Sequence, residues 1–192
     1  MARPTVQVTI ASPSDQDRLI PLWVQLRSET GQTKEWAERA AQDGRMEAAL
    51  SRDDVRVFLA TSDDRDTGFA VVIRSPLSGL GDEQAVWIDQ MWVAPEHRGT
   101  GVAKALLTRV SAYGEEQGST QVVCCVPTHE RGVNRYFAKL GFASTVTLRV
   151  TSTASLRRKL TGVAESKGAA TLRARRSLRA RARDDVKVAS GL

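Results

Sequence analysis

Polar and apolar positions alternate from Val6 to Ile10, the period-two pattern of a strand with one covered face. Ser12-Pro13-Ser14-Asp15 brings turn and N-cap chemistry. Leu19, Ile20, Leu22, Trp23 and Leu26 then recur at helical spacing, which predicts a helix to about Ser28. Glu29-Thr30-Gly31-Gln32 breaks it. A second helix is predicted from Lys34 to Leu50, with Trp36, Ala40, Met46 and Leu50 as its sparse apolar side and Gly44 as its weak point. Arg56 to Thr61 and Gly68 to Arg74 flank the acidic stretch Ser62-Asp63-Asp64-Arg65-Asp66 and predict a hairpin. A loop rich in Ser and Gly, Ser75 to Glu83, leads into a strand from Val86 to Val93. A helix to about Gln117 follows. Gln121 to Val126 is a nearly continuous apolar run and reads as a central strand covered on both faces, stopped by Pro127. Arg131 to Leu140 predicts a short helix ended by Gly141, and Phe142 opens a last strand to about Val150. The order is β-α-α-β-β-β-α-β-α-β.

A chain of 192 residues suffices for one well-buried α/β domain with an appendage. The formal charge of +6 is unevenly spread. Residues 1–152 carry 17 Lys/Arg against 19 Asp/Glu, whereas residues 153–192 carry 11 against 3. The domain is therefore expected to span 1–152, and the Arg/Ala/Leu-rich stretch 153–192 is a basic C-terminal extension, disordered or helical. No affinity of the folded part for nucleic acid can be inferred from the total charge. If the extension binds RNA, the ribosome or another anionic partner, the contact is electrostatic, sequence-blind and salt-sensitive. No apolar run approaches the ~20 residues of a membrane span, and no signal-peptide core opens the chain, which points to the cytoplasm. Cys124 and Cys125 are adjacent and match no metal-ligand spacing. They are expected to be reduced core residues, and no metal is expected.

The stretch Ile88 to Leu107 organises the rest. Its strand meets Pro95, then two glycines within three residues, then good helix formers. Small residues at a helix entry let backbone N–H groups approach a ligand, and with the helix dipole the place suits a phosphate. A Walker loop is excluded because Val102 follows Gly101, and a dinucleotide fingerprint because Lys104 stands at its last position. The remaining pattern, Arg98-x-x-Gly101-x-Ala103 after a strand ending Met91-Trp92-Val93, resembles the acetyl-CoA signature of the GNAT superfamily of N-acetyltransferases. Tyr136-Phe137-Ala138-Lys139-Leu140-Gly141-Phe142 is similar to that family's closing region, and the resemblance covers about residues 5–150.

The resemblance implies an α/β fold with a mixed central sheet, the fourth and fifth strands splayed and helices on both faces. It implies acetyl-CoA as co-substrate and direct transfer to a primary amine, with a small-molecule acceptor slightly favoured over a protein. Gly99, Thr100, Gly101, Val102 and Ala103 would offer N–H groups to the pyrophosphate, with Arg98 alongside, and Met91, Trp92 and Val93 would pair with the pantetheine arm. A backbone N–H near Val93 would polarise the thioester oxygen. Asp89 is the leading base, set against a plain surface carboxylate, with Glu83 and Glu29 behind it. Regular alternation puts it on the face of Met91, and a bulge would change that. For the acid the chain departs from the family: the customary tyrosine position holds Phe137. Tyr136 is one residue earlier, about 100° round the helix. Asn134 is expected to bond the cofactor arm. Trp23, Trp36 and Trp87 either line an acceptor pocket or belong to the core. The competing reading is a non-catalytic CoA-binding module whose tail docks on an anionic partner. A homodimer fits either reading.

Overall fold

The computed structural model of the chain describes residues 5–77, 80–127 and 129–161. Two compact units part between Tyr136 and Phe137. The first contains β1 (Val6–Ile10), α1 (Gln16–Glu29), α2 (Lys34–Ala41), α3 (Arg45–Leu50), β2 (Val55–Ser62), β3 (Arg65–Pro76), β4 (Gln84–Val93), α4 (Val102–Glu116) and β5 (Gln121–Cys124), and α5 covers Arg131–Lys139. The strands form one sheet in the order β1-β2-β3-β4-β5, antiparallel up to β4 and parallel between β4 and β5.

Successive residues of a strand face opposite sides of a sheet, so β2 contributes alternately to two hydrophobic clusters. Phe58 and Ala60 meet Val102, Leu106, Val110 and Tyr113 of α4, together with Ala70, Val72 and Val86. Val57 and Leu59 pack on the other side with Phe69 and Trp92 against Leu19 and Leu22 of α1. Full burial of side chains such as Phe58, Leu59 and Leu106 stabilises the fold by about 1.5–3 kcal/mol each. The β2–β3 hairpin closes on Asp63 and Asp64, whose φ angles are 50° and 58°. Left-handed backbone at both central residues gives the turn whose twist matches the flanking strands, and Asp tolerates it better than most residues.

Gly68 in β3 has no room for a side chain, because a Cβ there would lie 2.6 Å from the Trp92 carbonyl oxygen. Gly68→Ala should therefore force β3 from β4 and cost about 1–3 kcal/mol. The check is a lower urea midpoint at unchanged m-value.

Four expectations change. The helix predicted over Lys34–Leu50 is two helices: the first stops at Ala41, and Gly44, at φ 76°, lies between them as the N-cap of the second. β5 is an edge strand among the described residues, half-buried instead of covered on both faces. Cys124 is half-buried and Cys125 exposed, so only the first approaches the expected core position, and both are free. Burial, with Cys125 next to it, pushes the Cys124 thiol up. The fourth change lies in the second unit. Phe137 and Phe142 meet edge to face at 5.0 Å. Beyond them, residues 142–152 form no strand, leaving Val146, Leu148 and Val150 74–86% exposed. Their alternation suits a strand, but among the described residues no neighbouring strand supplies the ladder hydrogen bonds that would fix one. Residues 153–161 are helical, and the rest of the basic extension lies outside the described residues.

Candidate functional site

β4 carries one residue more than β3 can pair. Val71 faces Gln90 and Val72 faces Ile88, which leaves Asp89 as the extra residue of a β-bulge. The bulge inverts the alternation. Val86 and Ile88 point into the α4-side core, and beyond the bulge Met91 and Val93 do so, while Trp92 joins the α1 side. Asp89 and Gln90 both line a cavity on the side of α1, α2 and α3. Asp89 thus does not share the face of Met91. Gln90 Nε2 donates to Asp89 Oδ2 at 3.2 Å, a partner that sequence reasoning missed because a bulge leaves no mark in composition.

The same point ends the pairing with β5. The last matched residues are Ile88 and Cys124, yet β4 runs on to Val93. β5 ends there, so β4 beyond Ile88 has no strand partner on that edge among the described residues. Ala94 N–H donates to the Thr67 carbonyl at 2.9 Å on the β3 side. Antiparallel alternation therefore turns the backbone groups of Met91 and Val93 to the other, opened edge. There the Val93 carbonyl accepts from Arg98 Nε at 3.0 Å.

The loop from Pro95 to Gly101 leads from that edge into α4. Gly99 and Gly101 adopt φ 80° and 106°, values that favour glycine. Thr100 Oγ1 is turned back onto the His97 carbonyl at 2.7 Å. Gly101 caps the helix without a side chain, and the first turn of α4 carries no acidic residue. Among the described residues the N–H groups of Gly99, Gly101, Val102 and Ala103 have no backbone acceptor, as a helix start requires. Val102 and Leu106, fully buried, hold this end of the helix in place. A cluster of unpaired N–H donors at a helix start whose first turn carries no acidic residue fits an anion such as a pyrophosphate.

Arg98 bridges elements. Its Nη2 donates to both carboxylate oxygens of Glu29 at 3.1 and 2.9 Å, tying the loop to the end of α1. Both side chains are about half exposed, so the pair adds little stability and yields readily to a competing anion. Asn134 Nδ2 donates to the carbonyls of Pro127 and Glu130, each at 2.9 Å, so only its carbonyl oxygen is left for a ligand. Tyr136 is half-buried on α5, and burial pushes its phenol up, keeping it protonated at neutral pH.

The cavity beside Asp89 measures about 290 Å³ and is bounded by Trp23, Trp36, Met46, Val71 and Ile73. Arg27 lies over both indoles, 5.6 Å from Trp23 and 5.4 Å from Trp36, and so fixes the two rings. Trp87 is not on the cavity wall and donates its Nε1–H to the Ser75 carbonyl at 3.3 Å. Ala40, Ala41 and Ala49 leave the space between α2, α3 and the sheet. That alanine-rich face was the one available signal for the cavity, and composition alone reads it as helix propensity.

Residues 21–142 match the family described as acetyltransferase (GNAT). An uncharacterized N-acetyltransferase of Mycobacterium tuberculosis is 31% identical over 86 residues, which is 45% of this chain and 51% of that protein. The chain spans about half the length of the curated relatives it matches. Among solved structures, a ribosomal-protein-alanine N-acetyltransferase from Brucella melitensis superposes with a TM-score of 0.64 at 20% identity, over 77% of this chain and 99% of that one. The aminoglycoside N-acetyltransferase AAC(6')-Iy, solved in complex with CoA, also gives 0.64 at 20% identity, over 78% and 95%.

Proposed function

This chain belongs to the acetyltransferase (GNAT) family, and from that premise we propose that it transfers acetyl from acetyl-CoA to a primary amine by direct attack. The observation that carries the reading is the succession, along the second half of β4 and into the loop after it, of a carboxylate, an opened strand edge and a set of unpaired N–H groups. Acetyl-CoA supplies the activated thioester. The N–H groups of Gly99, Gly101, Val102 and Ala103 hold its pyrophosphate, with Thr100 shaping the loop and Arg98 exchanging Glu29 for a phosphate oxygen. The opened edge at Met91 and Val93 runs along the pantetheine arm while the Val93 carbonyl stays on Arg98 Nε, and Trp92 anchors that edge from the core. Asn134 accepts from the arm through its carbonyl oxygen.

Asp89 removes a proton from the amine, directly or through one water. The freed amine nitrogen then forms the C–N bond, the Val93 N–H steadies the charge on the carbonyl oxygen, and the C–S bond breaks as the nitrogen loses its second proton to solvent, from which Tyr136 recovers the proton it donates. Tyr136, protonated at neutral pH, gives the departing sulfur its proton. Because a thiolate leaves readily on its own, Tyr136→Phe should lower kcat only about tenfold and leave the KM for acetyl-CoA unchanged. Steady-state thiol release checks this, and an unaltered kcat removes Tyr136 from the mechanism. The reading as a whole is tested by mass spectrometry. Free N-acetylated amine and no acetyl on the protein support direct transfer, whereas an acetylated protein intermediate contradicts it.

A further inference from the structure

We infer that the acceptor is a primary monoamine borne on a compact apolar or aromatic body, seated in the cavity between α1, α2, α3 and the sheet. The inference rests on the transferase reading above and adds the chemistry of the acceptor to it. The first observation is where the cavity meets the reaction. Asp89 stands on the cavity wall and is also the first residue of β4 past the last pair with β5. An amine held by Asp89 therefore has its nitrogen at the opened edge and its body on the side of Trp23 and Trp36.

The second observation is charge. The wall carries three ionised side chains, Arg45, Arg52 and Asp89. Arg45 Nε lies 2.7 Å from Asp43, and Arg52 is held through two nitrogens by Asp54 at 2.9 and 2.5 Å. Both cations are thus already neutralised, and no carboxylate on an acceptor is called for. Asp89 has no cationic partner among the described residues. One uncompensated carboxylate matches one ammonium. A polyhydroxylated polycation would leave further charges and hydroxyls against Leu19, Met46, Val71 and Ile73, where they would lose water without gaining partners.

The third observation is size. An apolar protein cavity of about 150 Å³ accepts benzene. The volume here, about 290 Å³, has room for one ring and a short arm. Trp23 and Trp36, with centroids 6.5 Å apart, add two aromatic side chains to the wall for such a ring to pack against.

The test uses the full chain with saturating acetyl-CoA and reads kcat/KM by thiol release. The amines are ethylamine, butylamine, isoamylamine, phenethylamine, ethanolamine, a lysine-containing peptide and tobramycin. Expected is a rise of about fourfold per buried methylene, with phenethylamine exceeding ethanolamine and tobramycin at least tenfold. A flat series, or preference for tobramycin or the peptide, overturns the inference and leaves the transferase reading standing. No transfer to any amine by a chain that binds acetyl-CoA overturns that reading, and the inference with it. Ala49→Phe, which fills the cavity, should raise the KM for phenethylamine at least tenfold while acetyl-CoA still raises the melting temperature. If that variant does not fold, Ala40→Leu takes its place. An unchanged KM in a folded, filled variant also overturns the inference.

Discussion

Acetyl-CoA is expected not to raise the melting temperature of Gly101→Glu, whereas at a hundredfold excess over Kd it should raise that of the native chain by about 5–10 °C. Two effects act at this position and can be separated. The backbone sits at φ 106°, where any L side chain is strained by about 1–2 kcal/mol, although a Cβ meets nothing within 4 Å. Gly101→Ala should therefore fold, melt somewhat lower and still respond to acetyl-CoA. A carboxylate adds charge where Gly101, Val102 and Ala103 point their N–H groups outward, and at the positive end of α4 it would occupy those donors itself. Binding should weaken at least about a hundredfold, a loss near 2.8 kcal/mol. Equal loss in the alanine and glutamate variants would mean that backbone strain, not the phosphate seat, sets the effect.

The second large effect is expected at Asp89. Asp89→Asn keeps the shape of the bulge and the contact with Gln90 but removes the proton acceptor. The expected result is a kcat lower by about 10²–10³-fold, with the KM and the thermal shift for acetyl-CoA unchanged, in line with general-base contributions elsewhere. Asp89→Glu should recover part of the rate, since the carboxylate returns slightly displaced. Amines with a lower pKa, which arrive partly deprotonated, should suffer less from Asp89→Asn. An undiminished kcat would assign base catalysis to solvent or to Glu29 once Arg98 releases it.

Much of the architecture could be read from local chemistry. The hairpin of β2 and β3 and the glycine-bearing entry to α4 depend on residues close together in sequence, and both formed where expected, although the turn narrows from Ser62–Asp66 to Asp63 and Asp64 alone. Gly44 was visible as a weak point and proved to be a break. The misreadings depend on partners distant in sequence. Gln121 to Val126 is apolar enough for a central strand, but a strand is central only if another lies beyond it. Val146, Leu148 and Val150 alternate without a ladder to join. The face of Asp89 could not be fixed beforehand, because one unpaired residue in β4 inverts every side chain after it and becomes apparent only in register with β3. The cavity depended on packing in the same way: Trp23 and Trp36 belong to it and Trp87 does not, a distinction that periodicity cannot make.

In the function proposed, the edge of β4 and the loop entering α4 together seat acetyl-CoA. The most direct measurement is a titration of the isotopically labelled full chain with CoA, followed through its amide resonances. Val93, Gly99, Gly101, Val102 and Ala103 are expected to shift most and saturate together, while Met46 and Ala49 in α3 stay in place. Shifts concentrated along α2 and α3, or none in a folded chain, would contradict that seat.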